Sequence, residues 1–357
     1  MAERMRRILV AIRDLRHVPK NELRKAGALA RAAHGSVELF HAIEEPDPAR
    51  SWPETATAQT VEKQRNAIAA RHEERLAQFA RDPSLRGANV SSTVTWDHPV
   101  HEAIIRRALE SRADLVIAAT HTHTLGARFL RNTDWELIRH CPVPLLLAKS
   151  SREYRRPVVL AAVDPFHAHA RPADLDARLL DAGQKFAQLL RGTLHLFHAY
   201  MPLVTVAPTP MGTAPLVTLP PEAEAAHGEQ IARVIGQLAK SADVPPARRH
   251  IEMGEVSSEL AAVARRTHAG LVVMGAVSRS GLARLFIGNT AERVLDKLSC
   301  DVLVVKPRGF RTSVATSSRP PPRLRSRGQL TRPASRARRS DRRSTEEAPT
   351  EVLPPLL

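Results

Sequence analysis

The chain has 357 residues, of which 43% are hydrophobic and 25% charged, which is enough apolar material for two or three globular domains. No apolar run approaches the roughly 20 residues of a membrane-spanning helix, and the apolar stretch near the N-terminus is too short for a signal peptide. The net charge is +16, and only two cysteines are present. Scarce cysteines favour a reducing compartment, so we expect a cytoplasmic protein without membrane insertion.

The first half of the chain reads as alternating strands and helices. Short apolar or alternating runs predict strands, whereas longer alanine-rich amphipathic segments predict helices. Gly35 is a helix-stop residue after the first of these helices. The predicted elements are strand 8–12, helix 23–33, strand 37–42, helix 61–81, strand 90–96, helix 101–112, strand 115–119 and strand 145–148.

The second half shows the same alternation. Continuous apolar strands between helices are typical of parallel βαβ units with helices on both faces of the sheet. Ligands of such open sheets bind beyond the carboxyl ends of the strands. The predicted elements are strand 158–163, helix 175–190, strand 194–199, helix 222–241, strand 249–252, helix 258–267, strand 271–274, helix 291–298 and strand 302–305.

The two halves also repeat each other at one offset of 157 residues. The segment Ser-Val-Glu-Leu-Phe-His-Ala at 36–42 returns as Thr-Leu-His-Leu-Phe-His-Ala at 193–199, and Lys149 returns as Lys306. Solenoid repeats have periods of about 20–50 residues, so this spacing excludes a stack of short units. It predicts two homologous domains in tandem.

The last 50 residues, 308–357, have a different composition. They contain twelve arginines and no lysine against four acidic residues, and therefore carry half of the net charge. A segment rich in Arg, Ser and Pro cannot bury enough apolar surface to offset the entropy of ordering it, so we expect a disordered tail. Its arginines could contact nucleic acid nonspecifically, or could simply be solvated.

Two kinds of loop could carry ligand chemistry. Asp14 and Asp164 follow the first strand of each half, where a carboxylate can accept hydrogen bonds from a ribose or a base. Taken one at a time, these residues are better explained by ordinary turns. The second loop runs from Gly275 to Gly288 and leads into a helix. Glycines allow backbone amides to approach phosphates, and a helix N-terminus stabilises their charge, although Asn289 can also be a simple helix start.

The loop that ends in Gly288-Asn289-Thr290-Ala291-Glu292, with the strand at 300–307 that closes it, resembles the C-terminal signature of the universal stress protein (UspA) family. The strand at 8–12 and the two Leu-Phe-His-Ala strands resemble the first and second strands of that family. The resemblance covers residues 1–307 and is greatest to the tandem, two-domain members. It identifies the chain as a member of this family.

The resemblance implies an α/β fold of two tandem Rossmann-like, adenine nucleotide alpha hydrolase-like domains. Each domain would hold a five-stranded parallel sheet with helices on both faces. The expected boundaries are a degenerate domain at 1–150, a domain with a partial nucleotide loop at 155–307, and the tail at 308–357. The resemblance also implies that the domains pack as an intramolecular pseudo-dimer.

ATP-binding members of the family carry a Gly-x2-Gly-x9-Gly-Ser/Thr loop. In the second half Ser278 replaces the second glycine and Asn289 follows the last, whereas in the first half Arg131 replaces the last glycine. The resemblance therefore implies an ATP or AMP site in the second domain only. No metal site is expected, because His121 and His123 have no carboxylate or cysteine at metal-ligand spacing. The residues that it assigns to nucleotide binding are Asp164, Ala199, Gly275, Ser278, Arg279, Ser280, Gly288, Asn289 and Thr290.

No catalytic triad, nucleophile elbow or Walker A loop is visible in the sequence. The resemblance implies a stress-response protein that binds a ligand or partner without catalytic turnover. One alternative is an adenine-nucleotide sensor or weak ATPase that uses the second-domain loop. Another is a nucleic-acid-binding factor that acts through the basic tail.

Overall fold

The computed structural model describes residues 5–44, 57–120, 133–166, 174–202, 204–206, 216–218, 220–276 and 289–316. The chain divides into two compact units, Met1–Pro322 and Arg323–Leu357. All the described residues belong to the first unit.

The first half forms a five-stranded parallel sheet in the order β3-β2-β1-β4-β5. In β1, Ile8 and Val10 pack on one face of the sheet, and Leu9 and Ala11 pack on the other. The strand is therefore buried on both faces, which explains its continuous apolar sequence. The elements are β1 (Arg7–Ala11), α1 (Lys20–Ala33), β2 (Ser36–Ile43), α2 (Ala58–Ala80), β3 (Asn89–Trp96), α3 (Val100–Glu110), β4 (Leu115–Ala119), α4 (Thr133–His140) and β5 (Leu145–Ala148).

The second half repeats this arrangement in the order β10-β7-β6-β11-β12, again with parallel neighbours. It adds a two-stranded antiparallel pair, β8 with β9, that the sequence pattern does not predict. The elements are β6 (Val158–Ala162), α5 (Leu175–Leu189), β7 (Thr193–Tyr200), β8 (Val204–Val206), β9 (Leu216–Thr218), α6 (Pro221–Ser241), β10 (Arg249–Met253), α7 (Val256–Arg266), β11 (Leu271–Gly275), α8 (Asn289–Lys297) and β12 (Asp301–Val305).

The predicted fold class is confirmed, and every predicted strand and helix is present within a few residues of its expected bounds. Sequence analysis misses α4 and the pair β8 with β9. The helix has eight residues and each of these strands has three, which is too short to show a full periodic pattern.

The connection between α1 and β2 explains a glycine that the sequence assigns to a helix stop. His34, and not Gly35, adopts the left-handed conformation that ends the helix, with φ of 50°. A Cβ on Gly35 would lie 2.4 Å from the carbonyl oxygen of Arg6. Gly192, its repeat counterpart, has the same constraint, because its Cβ would lie 2.0 Å from the carbonyl oxygen of Pro157. These glycines allow close approach of the chain to the start of the neighbouring strand.

The two halves join through their last strands into one ten-stranded sheet. Strands β5 and β12 pair antiparallel, with Leu146 opposite Leu303. Beside this pair, the Nζ of Lys306 donates to the carbonyl oxygen of Arg139 in the first half, at 3.0 Å. Lys149, its repeat counterpart, donates from its Nζ to the carbonyl oxygen of Leu295 in the second half. The junction therefore carries reciprocal lysine contacts as well as strand pairing.

A buried ion pair lies at the same junction. The Nζ of Lys25 in α1 lies 2.8 Å from Oδ2 of Asp301 in β12, and both side chains are at most 3% exposed. The Tyr154 hydroxyl donates to Oδ2 of Asp301 at 2.7 Å, while the amides of Lys149 and Ser150 donate to Oδ1. This carboxylate thus connects the first half, the linker and the second half.

The segment after β12 packs on the domains as far as the structure describes it, to residue 316. Val314 is 8% exposed within the apolar core, and the Ser313 hydroxyl lies 3.1 Å from Nδ1 of His140. Lys306 Nζ lies 4.7 Å from the ring centre of Phe310. The segment predicted as tail from residue 308 therefore begins with a mostly exposed stretch in which Phe310 and Val314 make apolar contacts. Residues 317–357 lie outside the described part of the chain.

Candidate functional site

The candidate site lies where the strand order of the second half reverses, between β6 and β11. Continuing the register of these strands places Asp164 level with Ala199 in β7 and with Ala276 after β11. This is the carboxyl edge of the sheet, where open α/β sheets bind ligands. Three sequence-predicted residues, Asp164, Ala199 and Gly275, therefore lie at this edge of the sheet.

The turn after β6 is connected to the first turn of α5. The amide of Asp164 donates to Oδ1 of Asp176 at 3.0 Å. Across the crevice, a Cβ on Gly275 would lie 2.8 Å from Cδ2 of Leu175, the buried first residue of that helix. Gly275 therefore allows the start of α5 to approach the end of β11, a packing role that the phosphate interpretation of this glycine overlooked.

Lys306 supports the start of the loop that follows β11. Its Nζ donates to the carbonyl oxygen of Ala276 at 3.0 Å, and its side chain is buried. Burial lowers the pKa of Lys306 to about 8. The repeat marked this lysine in the sequence, but no sequence feature linked it to the loop.

A pair of repeat-related histidines holds the ends of the first strands. Nδ1 of His198 lies 3.1 Å from the carbonyl oxygen of Val163, and Nδ1 of His41 lies 2.7 Å from that of Ile12. Desolvation by burial lowers the pKa of His41. A neutral ring that donates to a backbone carbonyl fixes the turn after the strand, so the Leu-Phe-His-Ala motif has a positioning role.

The equivalent crevice of the first half is crossed by an arginine. Ile8 pairs with Val37, and Val159 pairs with Leu194, the repeat counterpart of Val37. Ile8 therefore corresponds to Val159, and Arg13 occupies the position of Asp164. The guanidinium of Arg13 lies 2.7 Å from Oδ1 of Asp134 and donates to the carbonyl oxygen of Ala119 at 3.3 Å. Both groups are largely buried, so a cation bridges the crevice where the second half offers a carboxylate.

Asp14 does not face this crevice as a ligand-binding carboxylate. It accepts hydrogen bonds from the amide and guanidinium of Arg16 and contacts His17, and the Arg16 hydrogen bonds hold its pKa well below its usual range. The sequence comparison that pairs Asp14 with Asp164 is wrong by one position. Both residues follow their strand, but the sheet register aligns Asp164 with Arg13.

Six predicted site residues lie wholly or partly outside the described part of the chain. Asn289 and Thr290 form the start of α8, although their side chains lie outside the description. Four more lie in a segment outside the described residues: Ser278, Arg279, Ser280 and Gly288. Arg131 in the first half is likewise outside them.

Exposed apolar side chains lie along the carboxyl edge of the second-half sheet. Phe166 follows β6, Met201 follows β7, and Met253 and Val256 lie at the end of β10 and the start of α7. Met201 is 62% exposed and Met253 is 52% exposed. Apolar groups beside a polar turn suit a ligand with one flat apolar part and one polar part.

The described residues hold neither a metal-binding cluster nor a membrane-spanning helix. No group of three or more His, Cys, Asp or Glu side chains within the described ranges could hold a metal ion. Within the same ranges, no helix is long and apolar enough to cross a membrane.

Comparison with known proteins gives consistent matches. The family model for the universal stress protein family matches residues 5–149 and again 158–306. Universal stress protein E of Escherichia coli K12 is 32% identical over 239 residues, which is 64% of this chain and 72% of that protein. A Pseudomonas aeruginosa PAO1 protein described as functionally unknown superposes with a TM-score of 0.60 at 24% identity, over 85% of this chain and 93% of that one. A universal stress protein of Archaeoglobus fulgidus superposes with a TM-score of 0.50 at 14% identity, over 84% and 98%.

Proposed function

Because the chain belongs to the universal stress protein family, in its tandem universal stress protein E type, we propose that it acts in the stress response by binding an adenine nucleotide. The binding site is the crevice between β6 and β11 in the second half. ATP or AMP is the ligand, and one molecule binds per chain. The protein works through binding and not through turnover.

The observation that carries this proposal is the difference between the two crevices. Asp164 stands at the end of β6, whereas Arg13, at the matching position, spans the first-half crevice to Asp134. The arginine fills space that a nucleotide would need, and its ion pair engages the carboxylate of Asp134. In the second half, a carboxylate can accept hydrogen bonds from ribose hydroxyls, and the loop that begins after Ala276 leads to the N-terminus of α8.

Calorimetric titration of the full chain with ATP and with AMP tests the proposal. We expect at most one site with modest affinity. Gly288→Arg, which copies Arg131 into the second loop, should abolish binding, and Asp164→Ala should weaken it about ten-fold through loss of charged hydrogen bonds. Asp14→Ala is the matched control and should leave the affinity unchanged. Two equivalent sites, or binding untouched by Gly288→Arg, would contradict the proposal.

We also propose that the halves replace the two subunits of a dimer. The domains at 1–150 and 155–307 then form an intramolecular pseudo-dimer across β5 and β12, supported by the Lys25–Asp301 ion pair. We also propose a cytoplasmic location, which the two free, buried cysteines, Cys141 and Cys300, support.

Two alternatives are separable by experiment. A sensor with weak ATPase activity would release phosphate above background, and Gly288→Arg would remove that release. A nucleic-acid-binding factor would bind RNA or DNA with a steep dependence on salt, and deletion after residue 316 would remove the binding.

A further inference from the structure

A cavity of about 410 Å³ lies at the opposite edge of the second-half sheet from the nucleotide crevice. It is located where β11 and β12 begin, beside Gly270 and Cys300. The C-terminal ends of α7 and α8 and the linker after β5 complete its wall. Its volume falls within the range of small-molecule sites, about 300–1,000 Å³.

The polar lining of this cavity is basic. It contains no acidic side chain, and the hydroxyls of Ser150 and Ser299 add hydrogen-bond donors. Such a lining favours a ligand with several negative charges. The basic side chains are Arg152, Arg265, His268 and Lys297.

These four basic side chains are exposed to solvent, and within the described residues only Lys297 has an acidic partner. Lys297 contacts Glu255 at 3.3 Å and two serine hydroxyls. Across the ranges that the structure describes, no hydrogen bond or ion pair engages the guanidinium of Arg152, that of Arg265 or the ring of His268. Basic residues at helix C-termini interact favourably with the helix dipole, which accounts for Arg265. It does not account for Arg152, which is in the linker.

The first half provides an internal comparison. Helices α3 and α7 both have eleven residues and begin with valine, so Leu109 occupies the position of Arg265. The repeat offset matches Pro142 with Ser299 and His140 with Lys297. There, Ser313 contacts His140. The same alignment places Arg112 at the position of His268, so the first-half surface keeps that basic residue but lacks the counterpart of Arg265. It is also contacted by the chain after β12, whereas the second-half cavity is open.

We propose that this second-half cavity binds a small phosphate-bearing molecule, at a site separate from the nucleotide crevice. Arg152 and Arg265 present planar guanidinium groups that match phosphate oxygens in paired hydrogen bonds. Lys297 and His268 supply further hydrogen-bond donors in the lining.

Calorimetric titration of the full chain with pyrophosphate at low salt tests this site. We expect one site, and Arg265→Leu, which copies the first-half residue, should weaken binding about ten-fold or more. Arg266→Leu is the matched control. It removes the same charge from the neighbouring position, but Arg266 lies outside the cavity and pairs with Glu252 at 2.5 Å. Its affinity for pyrophosphate should stay within two-fold of the wild type.

The Gly288→Arg variant distinguishes the two sites, because it closes the nucleotide loop and leaves the cavity unchanged. Pyrophosphate binding that survives Gly288→Arg and falls with Arg265→Leu supports the proposal. Binding that disappears with Gly288→Arg assigns pyrophosphate to the nucleotide crevice and overturns it. Equal losses for Arg265→Leu and Arg266→Leu, or no binding by the wild type, would also overturn it.

Discussion

Leu146 and Leu303 face each other in the antiparallel pair that joins the two halves, and they are also repeat counterparts, 157 residues apart. On either side, Leu145 pairs with Val304 and Leu147 pairs with Val302, which preserves the same symmetry. A local two-fold axis therefore passes between the two leucines. The halves meet as two identical subunits would meet, and the chain supplies both copies.

This symmetry predicts the behaviour of an isolated half. A fragment of residues 1–150 exposes the edge of β5, whose unpaired amides and apolar side chains can pair with a second copy. We expect the fragment to dimerise or aggregate, as measured by analytical ultracentrifugation, while the full chain shows no such β5-mediated association. A stable monomeric fragment would contradict the role given to this strand pair.

The buried pair of Lys25 and Asp301 predicts a strong stability effect. Asp301→Asn leaves the Lys25 ammonium buried without its counter-ion, which should lower the free energy of unfolding by about 3–5 kcal/mol in urea titrations. The double variant with Lys25→Met removes both charges and retains an amide oxygen for the linker amides. The free energy of unfolding of the double variant should fall less than that of Asp301→Asn alone. An equal or larger fall would show that the unpaired Lys25 charge does not cause the instability.

The stacked histidines His195 and His250 predict a dependence of stability on pH. Their nitrogens are 3.0 Å apart, so one ring must accept from the other, and protonating both would break the contact. Burial, then the nearby His250 and Arg248, lowers the pKa of His195 to about 4. Between pH 6.5 and 4 the unfolded chain therefore binds more protons, and stability falls as the pH falls.

The matched variant for this effect is His195→Gln. Between pH 7 and pH 4.5, the wild type should lose about 1–2 kcal/mol more stability than the variant, after allowance for the partial exposure of the ring. Urea unfolding at both pH values measures the difference. Parallel losses in the two proteins would show that this pair does not set the acid sensitivity.

The segment after β12 predicts two different truncations. Removal after residue 316 should leave the melting temperature unchanged. Removal after residue 307 exposes the surface that Phe310 and Val314 cover, and burial of one valine side chain contributes about 1.5–3 kcal/mol. The shorter protein should therefore melt several degrees lower by calorimetry. Identical melting temperatures for the two truncated proteins would support the predicted tail boundary at 308.

The sequence alone determined the tandem architecture, the parallel sheets and nearly all the elements. Apolar periodicity is a local property, and the 157-residue repeat shows the same pattern of elements in both halves. It also predicted a ligand loop in the second half from its glycines, a prediction that falls largely on residues outside the described part of the chain. It could not align Asp14 and Asp164 correctly, since their true register depends on hydrogen bonds between strands that are distant in sequence.

The tertiary structure alone decided which charges meet. Arg13 and Asp134 are far apart in the chain, as are Lys25 and Asp301, and no spacing rule links such residues. The basic cavity likewise depends on a linker residue, Arg152, that comes near the ends of two later helices. Local sequence sets the backbone conformation, but long-range packing selects the partners of each charged group, and those partners distinguish the two crevices.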